Sequence, residues 1–206
     1  MMNALLVIVA TGAAATACTP PPPKVPLVEE WPAQPSEKYK AVTSAWTRSA
    51  VLRGAYQEVL DLSATFKSPD WRAAHAERDA EFRGLDGAAK ASRLDEARAE
   101  QAGPYEVELL VTTWDRREND LDRGAKSVWR VVMVDDKGHE VSPLEIVRDK
   151  RPTFQISAEF PAAGDFTTAY VARFPRTTPL LGPGITQLRL RMSSERGGVE
   201  LTWLAP

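Results

Sequence analysis

Between residues 36 and 103, apolar residues recur at the spacing of an α-helix, about 3.6 residues. The first such stripe consists of Tyr39, Val42, Trp46, Ala50, Tyr56 and Leu60. It predicts a helix over 36–63. A second helix is predicted to begin at Ser68, because Ser is a preferred N-cap and Pro69 suits the first helical position. Gly84 ends it, and a third, Ala-rich helix is predicted over 88–101 before Gly103.

After Pro104 the apolar period changes to two, which is the period of a β-strand. Tyr105, Val107, Leu109 and Val111 share one face of the first predicted strand. Further strands are predicted near 127–134, 139–147, 153–160, 166–174, 187–194 and 199–204. Residues 135–138 and 195–198 have the composition of tight hairpin turns.

These elements predict an α+β fold with two regions. A small helical region would span 36–103, and an antiparallel β-sandwich of about seven strands would span 104–206. That number of short strands with turns between them is typical of an immunoglobulin-like sandwich. The likeness concerns architecture only, since the single Cys of the chain cannot supply the disulfide of antibody domains.

The N-terminus carries a further apolar run, residues 4–10, and no charged residue occurs before Lys24. The run is too short for a membrane span, which needs about 20 apolar residues. It fits the apolar region of a signal peptide over 1–17. The sequence Ala15-Thr16-Ala17-Cys18 then resembles the lipobox of bacterial lipoproteins.

That resemblance implies cleavage before Cys18 and a diacylglycerol, with further acylation such as palmitate, on this residue. Thr19 stands where Asp tends to retain lipoproteins in the inner membrane, so the resemblance favours the outer membrane, facing the periplasm or the cell surface. The alternative is an ordinary secretory signal, with Ala15-Thr16-Ala17 as its cleavage site.

Seven prolines lie between Thr19 and Pro35, a density that prevents helix and sheet. Residues 18–35 are therefore predicted to form a stiff, polyproline-like tether between the lipid and the folded part. The alternative is a Pro-rich partner-binding motif in which Trp31 is an anchor.

Composition excludes several kinds of function. The chain has 26 basic and 28 acidic residues, and the two predicted regions are each near neutral, so nothing would neutralise a nucleic-acid backbone. One Cys and two His exclude a multi-thiolate zinc site or an imidazole-rich metal site. No cofactor is predicted.

The segment 115–124 is the strongest candidate for a site. Its oxygen-bearing side chains are those of Asp115, Glu118, Asn119, Asp120 and Asp122. Ca²⁺ takes six to eight oxygen ligands, so a Ca²⁺ site or a recognition loop is possible here. The simpler interpretation is a solvated loop in which three Arg residues neutralise the acids, and the spacing is not that of an EF-hand.

Catalytic chemistry has little support in the sequence. A Ser-His-acid hydrolase would need His75 or His139 as its base, and neither lies near a nucleophile elbow motif, which is absent. A solvent-lined cleft with a buried pair of acids would be the structural sign of a hydrolase.

Three stretches, ATFKSPDWR (64–72), WDRRENDL (114–121) and YVARFP (170–175), resemble an uncharacterised lipoprotein family of delta-class proteobacteria, including myxobacteria. The resemblance implies a lipoprotein with helices followed by a sandwich, and it adds no catalytic residue. The sequence thus predicts a non-enzymatic binding or structural module, anchored to the membrane at Cys18, whose partner is another protein of the cell envelope. The alternatives are a Ca²⁺- or ligand-binding sandwich and an unrecognised envelope hydrolase.

Overall fold

The computed structural model describes residues 21–206, so the predicted signal peptide and Cys18 lie outside the described part. Within it the chain forms four α-helices, nine strands and two short 3₁₀ helices. The helices are α1 Tyr39–Trp46, α2 Pro69–Phe82, α3 Gly87–Gln101 and α4 Thr153–Glu159, and the 3₁₀ helices are Arg116–Glu118 and Leu121–Lys126. The strands are β1 Thr47–Arg53, β2 Glu58–Phe66, β3 Tyr105–Thr113, β4 Arg130–Val134, β5 Glu140–Val141, β6 Glu145–Arg148, β7 Thr168–Phe174, β8 Gln187–Ser194 and β9 Gly197–Leu204.

The strands form two antiparallel sheets. The first sheet has five strands in the order β1-β2-β3-β7-β6, and the second has four in the order β5-β4-β8-β9. Apolar side chains from both sheets join one buried cluster, which includes Leu60 and Leu109 of the first sheet and Leu190 and Trp203 of the second. The two sheets therefore share a single hydrophobic core, as layered domains require. The coarse prediction of helices combined with antiparallel sheet is confirmed.

The predicted first helix over 36–63 is wrong beyond its first two turns. Only α1 is helical, and the chain then turns into the hairpin of β1 and β2. Alternate residues of β2, such as Leu60 and Leu62, are fully buried. The hairpin buries these side chains and pairs its two strands at seven register positions. This burial and pairing stabilise the hairpin over the helix that the spacing of the same residues predicts. The region 36–103 thus contributes two strands to the first sheet.

The second and third predicted helices are confirmed as α2 and α3. The Ser68 hydroxyl accepts a hydrogen bond from the Trp71 backbone N–H at 3.1 Å, which is the expected N-cap. Gly84, just past the end of α2, has a positive φ that favours glycine. Among residues 21–206, none of the helices has the length and apolar character needed to cross a bilayer.

The strand predictions after Pro104 hold for β3, β4, β7, β8 and β9, and Trp129 and Trp203 are buried as their periodic positions predict. Two predictions are corrected. Residues 153–160 form α4, where Ile156 and Phe160, four residues apart, bury one helical face. Residues 139–147 divide at Pro143 into β5 and β6, which lie in different sheets. The count of nine strands among residues 21–206 exceeds the seven expected because β1 and β2 form in the region that was predicted to be helical.

The Pro-rich segment packs against the folded body over much of its described length. Val25 and Leu27 are buried in the core. The Val25 backbone N–H donates to the Leu204 carbonyl at 2.9 Å, and the Leu27 carbonyl accepts from Gly182 at 2.9 Å. The prediction that 18–35 is a free tether is thus wrong for 23–29. Prolines keep this segment extended, so Val25 and Leu27 reach the core while Pro26 and Val28 between and after them are exposed.

Candidate functional site

The predicted site segment 115–124 follows β3 and contains both 3₁₀ helices. The acidic side chains of this segment form hydrogen bonds and ion pairs with other residues of the same chain. Asp115 accepts from the Arg117 backbone N–H at 3.0 Å and from the Arg117 guanidinium at 2.6 Å. These Arg117 hydrogen bonds lower the pKa of Asp115 to about 2. Glu118 pairs with Arg196, on the turn between β8 and β9, at 2.5 Å.

Asn119 fixes the same segment to the first sheet, and Asp120 fixes it to the loop before β4. The Asn119 amide donates to the Val111 carbonyl at 2.9 Å, and its oxygen accepts from the Tyr170 hydroxyl at 2.8 Å. Asp120 is buried and accepts from the Ser127 hydroxyl at 2.8 Å. These bonds give both side chains a structural role.

Asp122 lies 3.8 Å from the Arg148 guanidinium. The five predicted side chains therefore have separate protein partners. Within residues 21–206, no group of three or more His, Cys, Asp or Glu side chains is arranged to hold a metal ion.

The residues next to this segment form a cleft of about 700 Å³ at one end of the first sheet. At this end of the sheet, β2 and β7 begin and β3 and β6 end. The register shows this, since Val111 pairs with Thr168 and Leu60 pairs with Thr113. The cleft is lined by Glu58, Asp61, Thr112, Thr113, Trp114, Arg116, Asn119, Arg148, Asp165, Phe166, Thr167 and Thr168. Of the five predicted site residues, only Asn119 lines it.

Two large aromatic side chains of the cleft are exposed to solvent. Trp114 is 69% exposed and Phe166 is 71% exposed. The backbone of Trp114 is fixed, because its N–H donates to the Val59 carbonyl at 3.2 Å. Phe166 lies in a turn closed by reciprocal hydrogen bonds between Gly164 and Thr167. Exposed aromatic surface at a concave position is a mark of ligand sites.

Charged groups surround these rings. The Arg116 guanidinium lies 5.5 Å from the centre of the Phe166 ring. Arg148 lies over Tyr170 at 5.6 Å. Burial and the neighbouring Glu58 carboxylate raise the pKa of Asp61. The cleft thus combines apolar ring faces with both hydrogen-bond donors and hydrogen-bond acceptors.

Trp114, Phe166 and Asp61 were not among the predicted site residues. One signal was present: Trp114 directly follows the last residue of a strongly alternating strand, where a polar turn residue is the common choice. Phe166 is 52 residues further on, and only the pairing of β3 with β7 brings it to the same edge.

A second cluster of charged side chains lies under α2, on the outer face of the first sheet. Glu108 is fully buried, and its carboxylate lies 2.9 Å from the Lys67 ammonium. Burial raises the pKa of Glu108, against the opposing charge of Lys67. The charge of Asp149 also raises the pKa of Glu108, whereas hydrogen bonds from Arg151 lower the pKa of Asp149 itself, although burial alone would raise it. The structure therefore contains a buried pair of acids.

This acid pair lies beside a small cavity of about 210 Å³. Asp149, Arg151, Glu159 and His75 line the cavity, whereas Glu108 does not. Since Glu108 has no exposed surface, only one member of the pair, Asp149, faces this cavity.

The two histidines lie far from a hydrolase triad. His75 stacks on Trp71, with 4.9 Å between ring centres, and its Nε2 lies 3.4 Å from Glu159. His139 is exposed, and its Nδ1 lies 2.9 Å from the Asp135 carboxylate. Neither imidazole is hydrogen-bonded to a Ser hydroxyl within residues 21–206.

Glu159 supports a prediction about acid stability. Burial alone would raise the pKa of Glu159, but hydrogen bonds and charges from His75 and Arg151 hold this pKa at about 2. Because the folded pKa is below the usual value of 4.5, this carboxylate stabilises the fold above pH 4.5 and loses its effect as the pH falls towards 2. We expect Glu159→Gln to lower the free energy of unfolding at pH 7 by about 1–2 kcal/mol, after allowance for solvent screening.

Urea denaturation at pH 7, 4 and 2.5 measures this effect. The variant and the unaltered chain should converge in stability at the lowest pH. Glu195→Gln, in the exposed turn between β8 and β9, is the control and should not alter the pH dependence. Parallel curves for the Glu159 variant and the unaltered chain would contradict the assignment.

Comparisons with known proteins give little further information. No family model matches the chain, and no curated protein matches it. Among solved structures, one similar chain is a novel protein of unknown function from Burkholderia pseudomallei K96243. The two share 12% identity with a TM-score of 0.36, and the alignment covers 79% of this chain and 80% of the other.

Proposed function

We propose that this protein is a non-enzymatic binding module of the bacterial cell envelope, held to the membrane by a lipid on Cys18. The observation that carries the binding role is the cleft at the end of the first sheet, where Trp114 and Phe166 are exposed. Exposing such rings to water is unfavourable, by about 25 cal/mol per Å² of apolar surface. A ligand that covers them recovers this free energy.

The anchoring role is supported by residues 1–18 of the sequence, which lie outside the described part. Two or more acyl chains hold a protein at a membrane durably, at about 0.8 kcal/mol per buried CH₂ group. The packing of residues 23–29 on the body leaves only 19–22 between Cys18 and the folded part. At about 3.1 Å per residue, four residues span roughly 12 Å, so the body would lie close to the lipid surface.

We also propose that the two sheets form an open sandwich. The support is their common core, in which Leu109 of β3 and Leu190 of β8 are both fully buried. The resemblance to an immunoglobulin domain is proposed only for this layering, because the first sheet draws two of its strands from residues 47–66.

The proposed anchor is tested by Cys18→Ser in cells that carry the lipoprotein-processing enzymes. We expect the unaltered chain in the membrane fraction, released by detergent but not by high salt. The variant should move to the soluble fraction and lack the mass of a diacylglyceryl group. Thr19→Ser, which keeps the Cys, is the control. A variant that stays in the membrane fraction with unchanged mass would contradict the anchor.

The proposed binding role is tested by photo-crosslinking in the same cells. A photoreactive amino acid at position 166 should capture an envelope component, and Trp114→Ala in the same chain should abolish that capture. The matched control carries the probe at Phe82, which is equally exposed but lies on α2. Identical capture from both positions, or capture that survives Trp114→Ala, would contradict a role for the cleft.

An envelope hydrolase is the second candidate, because a buried pair of acids is a structural sign of a hydrolase and Glu108 and Asp149 form such a pair. The binding module is favoured, since Glu108 does not line the adjacent cavity. Structural ion-pair networks also shift pKa values in this way.

A further inference from the structure

The polar groups of the end cleft indicate the chemistry of its ligand. Four threonines line it: Thr112, Thr113, Thr167 and Thr168. A hydroxyl group both donates and accepts hydrogen bonds. Such a lining suits a ligand that carries many hydroxyl groups.

The charges of the cleft are nearly balanced. Glu58 pairs with Arg53 at 3.2 Å, and Arg148 pairs with Asp122 at 3.8 Å. Asp61, Asp165 and Arg116 also line the cleft, and within residues 21–206 none of the three makes an ion pair. A site for phosphate or another strong anion would have an excess of Arg and Lys, which this cleft lacks.

The unpaired carboxylates point to a donor-rich ligand. A carboxylate accepts up to four hydrogen bonds and bonds two neighbouring hydroxyl groups at once. Asp61 adjoins Thr112 in the register of β2 and β3, and Asp165 precedes Phe166 in the turn. Acceptors therefore lie next to the exposed apolar rings.

Apolar rings next to hydrogen-bond acceptors match the two kinds of surface that a sugar ring presents. A pyranose presents C–H groups on its faces and hydroxyl groups around its edge, so an aromatic ring can cover a face while polar groups bind the edge. Trp114 supplies the most exposed indole of the described chain, and Phe166 is equally exposed. The cleft volume of about 700 Å³ falls within the usual range for ligand sites, about 300–1,000 Å³.

We propose that the cleft binds a neutral carbohydrate. Trp114 and Phe166 cover the faces of sugar rings, Asp61 and Asp165 accept hydrogen bonds from hydroxyl groups, and Arg116 donates to a ring or hydroxyl oxygen. The proposal rests on the binding function proposed above, because it names the ligand class of the same cleft. A peptide is the competing ligand, and it would place backbone amides rather than hydroxyl groups against Asp61.

The proposal is tested by titrating the detergent-solubilised full chain with chitotetraose, cellotetraose, maltotetraose and an alanine tetrapeptide, whose backbone N–H groups can donate to Asp61. Calorimetry measures affinity, and iodide quenching measures the exposure of Trp114. We expect one or more of the saccharides to bind and to protect the indole from iodide. Trp114→Ala and Phe166→Ala should each weaken binding by about tenfold or more. Asp61→Asn should weaken it less, and Phe82→Ala, an equally exposed control on α2, should leave it unchanged.

The outcomes separate this proposal from the proposed function. Binding of the alanine tetrapeptide but of no saccharide would overturn the carbohydrate proposal, as would saccharide binding unaltered by Trp114→Ala. If no saccharide binds but the crosslinks from position 166 still depend on Trp114, the binding module stands and the ligand class is wrong. If those crosslinks also fail, the cleft has no binding role. Far-UV circular dichroism of each variant confirms that it is folded.

Discussion

Replacing Arg48 by Ala is expected to lower the free energy of unfolding by about 2–4 kcal/mol, because it removes a buried side chain and leaves several partly buried carbonyl groups without a donor. Arg48 is 5% exposed and donates to the carbonyls of Ala45, Thr47, Thr202 and Pro23 at 2.7–2.8 Å. One side chain thus connects α1, β1, β9 and the Pro-rich segment.

The chemistry of this site is unusual because the guanidinium binds backbone carbonyls and, within residues 21–206, no carboxylate. Burial accordingly lowers the pKa of Arg48. Its guanidinium lies 5.8 Å from the centre of the buried Trp203 ring. Lys cannot replace it, since an ammonium lacks the planar fork that reaches carbonyls on several elements. We therefore expect Arg48→Lys to recover less than half of the loss.

Urea denaturation of the Cys18→Ser chain measures this effect, and Arg53→Ala is the matched control. Arg53 lies on the same strand, but its side chain is 73% exposed and pairs only with the exposed Glu58. Its removal should cost about 0–0.5 kcal/mol. A loss below about 1 kcal/mol for Arg48→Ala would mean that water reaches these carbonyls, and that the Pro-rich segment is not held as described.

The β1–β2 region also shows where sequence patterns fail. Val42, Trp46 and Ala50 recur at helical spacing, but from Thr47 onward alternate residues, Arg48, Ala50 and Leu52, are more buried than those between them. The outcome depends on β3, more than 40 residues away, which pairs with β2 over seven register positions. By contrast, α2 is set by local groups, its Ser68 cap and Pro69, and those suffice for its prediction.

The candidate site was less predictable than the fold. The acids of 115–124 attract attention because they are adjacent in sequence, yet the structure pairs them with Arg117, Arg196 and Arg148. The cleft instead joins the ends of strands that are distant in sequence. Neither Trp114 nor Phe166 has a functional pattern until the register of β3 and β7 is known.

The Pro-rich segment gives the second prediction: Leu27→Ala is expected to cost about 2–5 kcal/mol, the usual range for a buried Leu. Leu27 is 2% exposed and belongs to the same core as Leu180 and Leu181. A free tether would lose nothing from this change. The control is Val28→Ala at the next position, which is 37% exposed and should cost less than about 1 kcal/mol.

The two predictions concern one segment, so they should not be additive. Arg48 holds Pro23, and Leu27 lies four residues further along the same extended chain. If Leu27→Ala detaches the segment, Arg48 has already lost one of its four acceptors, and the double variant should be more stable than the sum of the single losses implies, by about 0.5–3 kcal/mol. Strict additivity in the double-mutant cycle would mean that Pro23 and Leu27 attach to the body independently. In that case, loss of the Arg48–Pro23 hydrogen bond alone would lengthen the linker between Cys18 and the folded part beyond the four residues 19–22.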